Sequence, residues 1–225
     1  MRGDEFSLWW RVTIPLLLPL VRILFRVRSE GWEHVPSTGP VIIVFNHVSV
    51  LDGPALGLET VWHVRRRMRF LVAGELFRKR VVGFILRRYD QIPIHRGTGD
   101  HGALDEAVAT IKGGAVAALA PEGRVDEHGG AEGLQRIRRG IARIALPTGA
   151  PIVPIGIWGT QVRWPRKGPN FGRPLRPRLG LAVGPPLLPM GDPGADEDVG
   201  AFLERVRAAL DEQAVRARRL AGATT

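Results

Sequence analysis

The sequence predicts an α/β fold: a mixed, largely parallel sheet flanked by helices, with an N-terminal membrane-interfacial helical segment. From residue 38 onward, short apolar runs alternate with segments of helical periodicity, which is typical of a sheet covered on both faces. His47, Arg96 and Glu122 each follow a different predicted strand, at the sheet edge where α/β proteins collect reactive groups. An uncharged apolar run at residues 12–21, flanked by arginines, predicts the N-terminal segment.

The predicted strands are short apolar runs bounded by turn residues, and the predicted helices carry apolar side chains at helical spacing. We expect strands at residues 41–45, 69–73, 91–95, 115–120, 151–158 and 178–183. We expect helices at residues 54–61, 81–88, 102–112, 134–146 and 196–220. The last of these begins with three acidic residues and ends with arginines, which complements the helix dipole.

Composition limits the possible chemistry and partners. The chain has 225 residues, a net charge of +10 and no cysteine. The length suits a single core, and the absence of cysteine excludes disulfides, thiolate metal sites and cysteine nucleophiles. The positive charge favours anionic partners, such as phospholipid headgroups or phosphorylated substrates.

The N-terminal run favours a membrane surface among these partners. Residues 12–21 are about half of the ~20 needed to span a bilayer, and they contain Pro15 and Pro19. We expect one or two interfacial helices within a segment at residues 1–30, with Trp9 and Trp10 at headgroup depth. Residues 31–225 would then form the α/β domain. A core helix packed on that domain is the alternative; nucleic-acid binding is not expected, since no recognition-module pattern is present.

The segment Asn46-His47-Val48-Ser49-Val50-Leu51-Asp52 follows the first predicted strand of the domain. A neutral imidazole can remove a proton from a hydroxyl, and a nearby carboxylate can fix its tautomer. Because five helical positions set two side chains about 140° apart, His47 and Asp52 can meet only across a loop or a distorted first helical turn. A buried structural histidine near a capping aspartate is the alternative.

Two further segments carry charged residues beyond strand ends. Arg96 offers a rigid donor fork for a phosphate. Glu122 could orient a substrate hydroxyl, Gly123 allows close approach of the backbone, and Arg124 is another phosphate donor. The alternatives are a solvated arginine and a surface turn with an ion pair.

Taken in order, four segments resemble the glycerophospholipid acyltransferase family, best known for 1-acylglycerol-3-phosphate acyltransferases. They are Asn46-His47-x4-Asp52 and residues 91–97, 121–123 and 151–155. The family usually has P-E-G-T-R, whereas this chain has Arg124 and Val125 where the threonine and the final arginine would stand.

The resemblance implies transfer of a fatty acyl group from acyl-CoA or acyl carrier protein to a hydroxyl of a lysophosphatidate-like acceptor in phospholipid biosynthesis. His47 would be the general base and Asp52 would hold its ring. The implied substrate-binding residues are Asn46, Arg96, Glu122, Gly123 and Arg124. Neither a cofactor nor a metal ion is expected. The chain would lie, peripheral or monotopic, on the cytoplasmic face of the cell membrane. The alternatives are a different lysolipid or glycolipid acceptor, or a non-catalytic basic peripheral membrane protein.

Overall fold

The computed structural model describes residues 6–94, 101–126, 130, 133–172 and 174–223. The strands in this part of the chain are β1 Arg26–Glu30, β2 Val41–Phe45, β3 Met68–Ala73, β4 Ile92–Ile94, β5 Val116–Leu119, β6 Ile152–Trp158 and β7 Arg178–Val183. The α-helices are α1 Leu8–Leu24, α2 Asp52–Val64, α3 Gly74–Phe77, α4 Arg80–Arg88, α5 His101–Lys112, α6 Gly140–Thr148 and α7 Asp196–Leu220. Short 3₁₀ turns lie at Trp32–His34 and Thr160–Val162.

The strands form one sheet in the order β1-β7-β6-β2-β5-β3-β4. Every neighbouring pair is parallel except β6 and β7, which are antiparallel. The predicted mixed, largely parallel sheet is therefore confirmed. Strand β2 is buried along its whole length between β5 and β6, so the loop that follows it emerges at the middle of the sheet edge.

Helices cover both faces of the sheet, because alternate residues of the central strands point to opposite sides. Val41, Ile43 and Phe45 pack into a core with residues of α1 and α2. Ile42 and Val44 pack into a second core with residues of α5, α6 and α7. This two-sided burial explains why the central strands are continuous apolar runs.

The N-terminal segment differs from the prediction at its end. A single helix, α1, runs through Pro15 and Pro19 and ends at Leu24. Arg26–Glu30, predicted to belong to the N-terminal helices, instead forms the edge strand β1, which pairs in parallel with β7. Its charged and polar side chains suit an edge strand that is only half covered, and this polarity hides the strand from a search for apolar runs. No helix in the described part of the chain is both long enough and apolar enough to span a bilayer.

Helix α6 begins six residues later than the predicted helix at 134–146. The backbone N–H of Arg138 donates to Pro121 O at 2.9 Å, so it is not available for the carbonyl four residues earlier that a helix would require. The segment before Gly140 therefore runs alongside the turn after β5 and does not form a helix. This tertiary contact overrides the helical periodicity and brings Arg138 beside a predicted substrate-binding segment.

Candidate active site

The predicted pair of His47 and Asp52 meets across a loop, as its spacing requires. Residues 46–51 are not helical, and Asp52 is the first residue of α2. The Nδ1 atom of His47 lies 2.9 Å from Oδ2 of Asp52. Pro54 stands in the first turn of α2, where a proline has no helical hydrogen bond to lose.

Asp52 is fully buried, and hydrogen-bond donors surround its carboxylate. The backbone N–H groups of Val48 and Ser49 each donate to Oδ2 at 2.8 Å. The hydroxyl of Thr160 donates to Oδ1, and the imidazole of His47 supplies the fourth contact. A carboxylate offers about four lone-pair sites and no proton, so these donors satisfy the ionised form.

This arrangement fixes the tautomer of His47. Because the ionised Asp52 can only accept, Nδ1 must carry the proton, and the lone pair of the neutral ring is on Nε2. The side chain of His47 is 24% exposed, so the ring is not sealed beneath other side chains. Phe45 contacts the ring edge-on with a centroid separation of 5.8 Å, and Phe70 packs against Phe45 at the same separation. A substrate can therefore reach an imidazole that stands against an aromatic wall.

Thr160 is a site residue that the sequence reasoning missed. It lies in the 3₁₀ turn directly after β6 and is fully buried. The hydroxyl of Ser49 donates to Trp164 O at 2.7 Å, which gives a second link between the segment after β6 and the loop after β2. Asking which polar residues follow each strand, as for His47 and Glu122, would have found Thr160 beyond the strand at 151–158.

Asn46 makes contacts different from those expected of a substrate ligand. Its amide nitrogen donates to Ile157 O at 2.9 Å, and its amide oxygen accepts from Ile157 N at 2.7 Å. The residue is buried, and these two bonds join the end of β2 to β6. The amide therefore holds the start of the His47 loop in place, and substrate binding by Asn46 stays a prediction.

Glu122 follows β5, the strand next to β2 in the sheet, and lies beside the same loop. It is buried, and this burial, reinforced by the charges of Asp126 and Asp52, raises its pKa to about 8. A hydrogen bond from the backbone of His47 and the charge of Arg124 oppose this rise. Near pH 7 a carboxyl with such a pKa is mostly protonated, so it can donate a hydrogen bond as well as accept one.

The turn after Glu122 requires glycine. Gly123 has a φ of +78°, and a Cβ atom there would lie 2.7 Å from Nε of Arg138. The same Nε donates to Glu122 O at 3.1 Å. The exposed guanidinium of Arg138 is thereby held against the turn that carries two predicted substrate-binding residues.

Arg124 is exposed and belongs to a polar chain beside this turn. Its Nε donates to Gln135 Oε1 at 3.0 Å, and the amide of Gln135 donates to Asp126. The backbone N–H of Asp126 donates to His47 O at 2.7 Å. The loop after β2 and the segment after β5 are thus joined. This places Glu122 beside the backbone of His47, and Gly123 and Arg124 belong to the same joined segment. Arg96, predicted to bind phosphate, lies outside the described residues.

A small cavity of about 70 Å³ lies behind the turn at Glu122. Its lining includes Val48, Asp126, Trp158 and Arg218, whose guanidinium stacks over the Trp158 ring. This volume holds a few water molecules but falls well short of the ~300 Å³ typical of small-molecule pockets.

Comparisons with known proteins agree with this architecture. The crystal structure of the 1-acyl-sn-glycerophosphate (LPA) acyltransferase PlsC from Thermotoga maritima matches with a TM-score of 0.69 and 21% sequence identity. The match covers 96% of this chain and 80% of that chain. It shows that the two chains share a fold.

Sequence relatives include two named Arabidopsis thaliana enzymes. The N-acylphosphatidylethanolamine synthase is 32% identical over 164 residues, or 68% of this chain and 57% of the relative. The chloroplastic 1-acyl-sn-glycerol-3-phosphate acyltransferase LPAT1 is 26% identical over 139 residues, or 60% of this chain and 37% of the relative. The chain spans about half the length of the first curated relatives that it matches.

The family model described as Acyltransferase matches residues 26–158. This range begins with β1 and ends with β6, and it contains His47, Asp52 and the turn at Glu122. The predicted resemblance is thereby confirmed on more than half of the chain. The chain belongs to the acyltransferase family.

Proposed function

We propose that this chain transfers a fatty acyl group from acyl-CoA or acyl carrier protein to a hydroxyl of a lysophosphatidate-like acceptor. The observation that carries the proposal is the pairing of His47 with a buried, fully hydrogen-bonded Asp52. This pairing leaves the Nε2 lone pair for the acceptor. The family of the chain supplies the reaction class, and the named glycerophosphate acyltransferases among its relatives suggest the acceptor.

In the proposed step, Nε2 of His47 takes the proton of the acceptor hydroxyl as that oxygen attacks the thioester carbonyl. A carbon–oxygen bond forms, the carbon–sulfur bond breaks, and the imidazolium returns its proton to the leaving thiolate. Asp52 stabilises the imidazolium between these transfers. General-base catalysis of this kind accelerates a reaction by ~10²–10⁴-fold. The proposed step needs no metal ion, cofactor or covalent enzyme intermediate.

The residues around His47 would position the acceptor. Arg124 and Arg138 both present exposed guanidinium groups beside the turn at Gly123, and such groups suit a phosphate. Protonated Glu122 would donate a hydrogen bond to a substrate oxygen. We also propose that Arg96 contributes to phosphate binding and that the chain works at the cytoplasmic face of an anionic membrane.

A second acceptor class has its own support. Arg124 stands one position before the arginine of the usual family motif, and one relative is named for making N-acylphosphatidylethanolamine. An acceptor with another headgroup would use the same imidazole and carboxylate. A panel of lysophosphatidate, other lysophospholipids and glycolipids, compared by kcat/KM, separates the two proposals.

The test of the reaction uses purified protein, acyl-CoA and lysophosphatidate, with thiol release and lipid product measured together. We expect His47→Ala to reduce lipid formation by at least about a hundredfold. His63→Gln is the matched control, because His63 lies near the far end of α2, stacked on Trp32. Equal turnover by wild type and His47→Ala would end the general-base assignment. Thiol release without lipid product would indicate a thioesterase, and no turnover with any acceptor would favour a non-catalytic membrane protein.

A further inference from the structure

Helix α4 has its apolar side chains on the outside. The sequence from Arg78 to Arg88 consists of three basic residues, six uncharged residues and two arginines, with no acid among them. A helix on a soluble domain normally buries its apolar face. Here four of the five large apolar residues are 40–69% exposed: Val81, Val82, Phe84 and Ile85.

Backbone packing explains this orientation. The inward side of α4 carries Gly83, where an added Cβ atom would lie 2.1 Å from Phe77 O. Arg87 also donates to Phe77 O at 2.8 Å. The helix is thus held through a glycine and a carbonyl, and most of its apolar side chains are left facing away from the domain.

Helix α1 continues the same surface. Trp9 contacts Phe84 edge-on with a centroid separation of 6.0 Å, and the guanidinium of Arg88 stacks over both rings. The hydroxyl of Tyr89, next to α4, donates to Thr13 of α1 at 2.6 Å. Exposed apolar residues of α1 recur every three or four positions: Leu8, Val12, Leu16, Leu20 and Ile23. We call these residues, with Trp9 and the four of α4, the α1–α4 surface.

Cations border the apolar residues of this surface. The exposed basic residues on α1, on α4 and immediately before α4 are Arg11, Arg78, Lys79, Arg80, Arg87 and Arg88. Apolar side chains within a basic border fit the acyl and headgroup layers of an anionic leaflet, and tryptophan suits the boundary between those layers. In a symmetric dimer the same patch would face itself, and these cations would then lie near like charges.

We propose that α4 inserts into an anionic lipid leaflet and, together with α1, docks the catalytic domain on it. The core beneath α1 and α2 also contains Phe45 and Val48, which flank His47. The α1–α4 surface and the imidazole of His47 therefore lie on the same side of the sheet. This assignment rests on the proposed lipid substrate and specifies how the protein would meet it.

The first test is vesicle co-sedimentation without substrate, using phosphatidylglycerol–phosphatidylcholine vesicles. Val81→Glu/Phe84→Glu should weaken vesicle binding by at least about tenfold, because the free energy gained by burying one large apolar side chain corresponds to at least about a tenfold change in affinity. The matched control is Leu188→Glu/Met190→Glu, which makes the same charge change at two residues that are 62% and 64% exposed. The neighbouring Leu187 packs against the other core, so this control lies on the opposite side of the sheet. Thermal unfolding checks that both variants fold.

The absence of cysteine allows a direct measurement of insertion. Phe84→Cys and Met190→Cys each carry one environment-sensitive fluorophore and are mixed with the same vesicles. We expect a blue shift and quenching by brominated lipid at position 84 and neither at position 190. Unchanged fluorescence at position 84 while the protein binds vesicles would overturn the role of α4. Failure of the wild-type protein to bind vesicles would also overturn the proposal. So would the finding that the wild type is a dimer and that Val81→Glu/Phe84→Glu converts it to a monomer.

If docking through the α1–α4 surface is wrong, the experimental results differ from those expected if the proposed reaction is wrong. Vesicle binding requires no turnover, so a different acceptor would leave it unchanged. Conversely, Val81→Glu/Phe84→Glu should retain activity on a short-chain acceptor below its critical micelle concentration and lose activity on vesicle-borne acceptor. Loss of both activities in a folded variant would contradict a purely docking role.

Discussion

Replacing Asp52 by asparagine removes the negative charge beside His47 and retains most of the geometry. The Oδ2 atom of Asp52 accepts from the N–H groups of Val48 and Ser49 and from His47, whereas among the described residues Oδ1 accepts from Thr160 alone. An amide oxygen in the Oδ2 position keeps three of these bonds. The amide nitrogen then faces Thr160, whose hydroxyl can accept instead of donate. We therefore expect Asp52→Asn to fold and to keep the proton of His47 on Nδ1.

The expected loss is in the chemical step. An imidazolium and a carboxylate about 4 Å apart interact by about 4 kcal/mol at an effective dielectric constant of ~20. Losing that stabilisation should slow acyl transfer by about a thousandfold. Asp52→Ala is a less informative variant because it leaves buried donors unpaired, at about 1–3 kcal/mol each, against a total stability of about 5–15 kcal/mol.

The assay is single-turnover acyl transfer with saturating lysophosphatidate, together with urea unfolding of wild type and Asp52→Asn. We expect a large fall in rate, a nearly unchanged acceptor dissociation constant and a modest change in stability. A rate loss below about tenfold would show that the charge of Asp52 is not needed by the imidazole. An unfolded variant would show that the asparagine cannot adopt the orientation described above.

Three further predictions follow from the same site. Thr160→Val should cost about 1.5–3 kcal/mol of stability and lower kcat, because it removes a hydrogen bond to a charged group; urea unfolding and kinetics measure this, and Thr160→Ser should restore both. Because the pKa of Glu122 is about 8 in the folded protein and near 4.5 when unfolded, its contribution to stability is complete below pH 4.5 and is lost as pH rises through 8. Glu122→Gln should remove that pH dependence, which is on the order of 5 kcal/mol between pH 4.5 and 8. If Glu122→Gln instead shows the same slope as the wild type in chemical unfolding at pH 5–9, the burial argument is wrong. Gly123→Ala should cost about 1–3 kcal/mol from its positive φ and also displace Arg138. Gly133→Ala has a similar φ of +82° and open space around it, so equal acceptor KM values for these two variants would exclude a role for the Arg138 contact.

The parts of the fold that local pattern predicted are those in which local and tertiary preferences agree. The terminal helix was predicted at 196–220 and is observed as Asp196–Leu220, because its acidic start, apolar stripe and basic end all favour a helix. The central strands were found because burial on both faces requires continuous apolar runs. Strand β1 was missed because an edge strand with one covered face can be polar. Its place in the sheet depends on pairing with β7, about 150 residues away.

The site shows the same division. The spacing of His47 and Asp52 indicated an imidazole and its orienting carboxylate, since residue types and a five-position separation are local properties. Their contact, the loop that allows it and the backbone donors to Asp52 all lie within one short segment. The contribution of Thr160 depends on the adjacency of β2 and β6, and the place of Arg138 depends on a hydrogen bond to Pro121. Neither the strand pairing nor this hydrogen bond can be predicted from a short stretch of sequence.

The sequence alone determined the family, the alternation of strands and helices, and the residue types available for acid–base chemistry. These follow from short-range patterns, because side-chain chemistry and backbone periodicity are local. Tertiary structure alone decided that Thr160 completes the set of donors around Asp52, that Glu122 is buried among carboxylates, and that the apolar side of α4 faces outward beside α1. Each of these depends on packing between segments distant in the chain, since burial and electrostatic environment belong to the assembled fold.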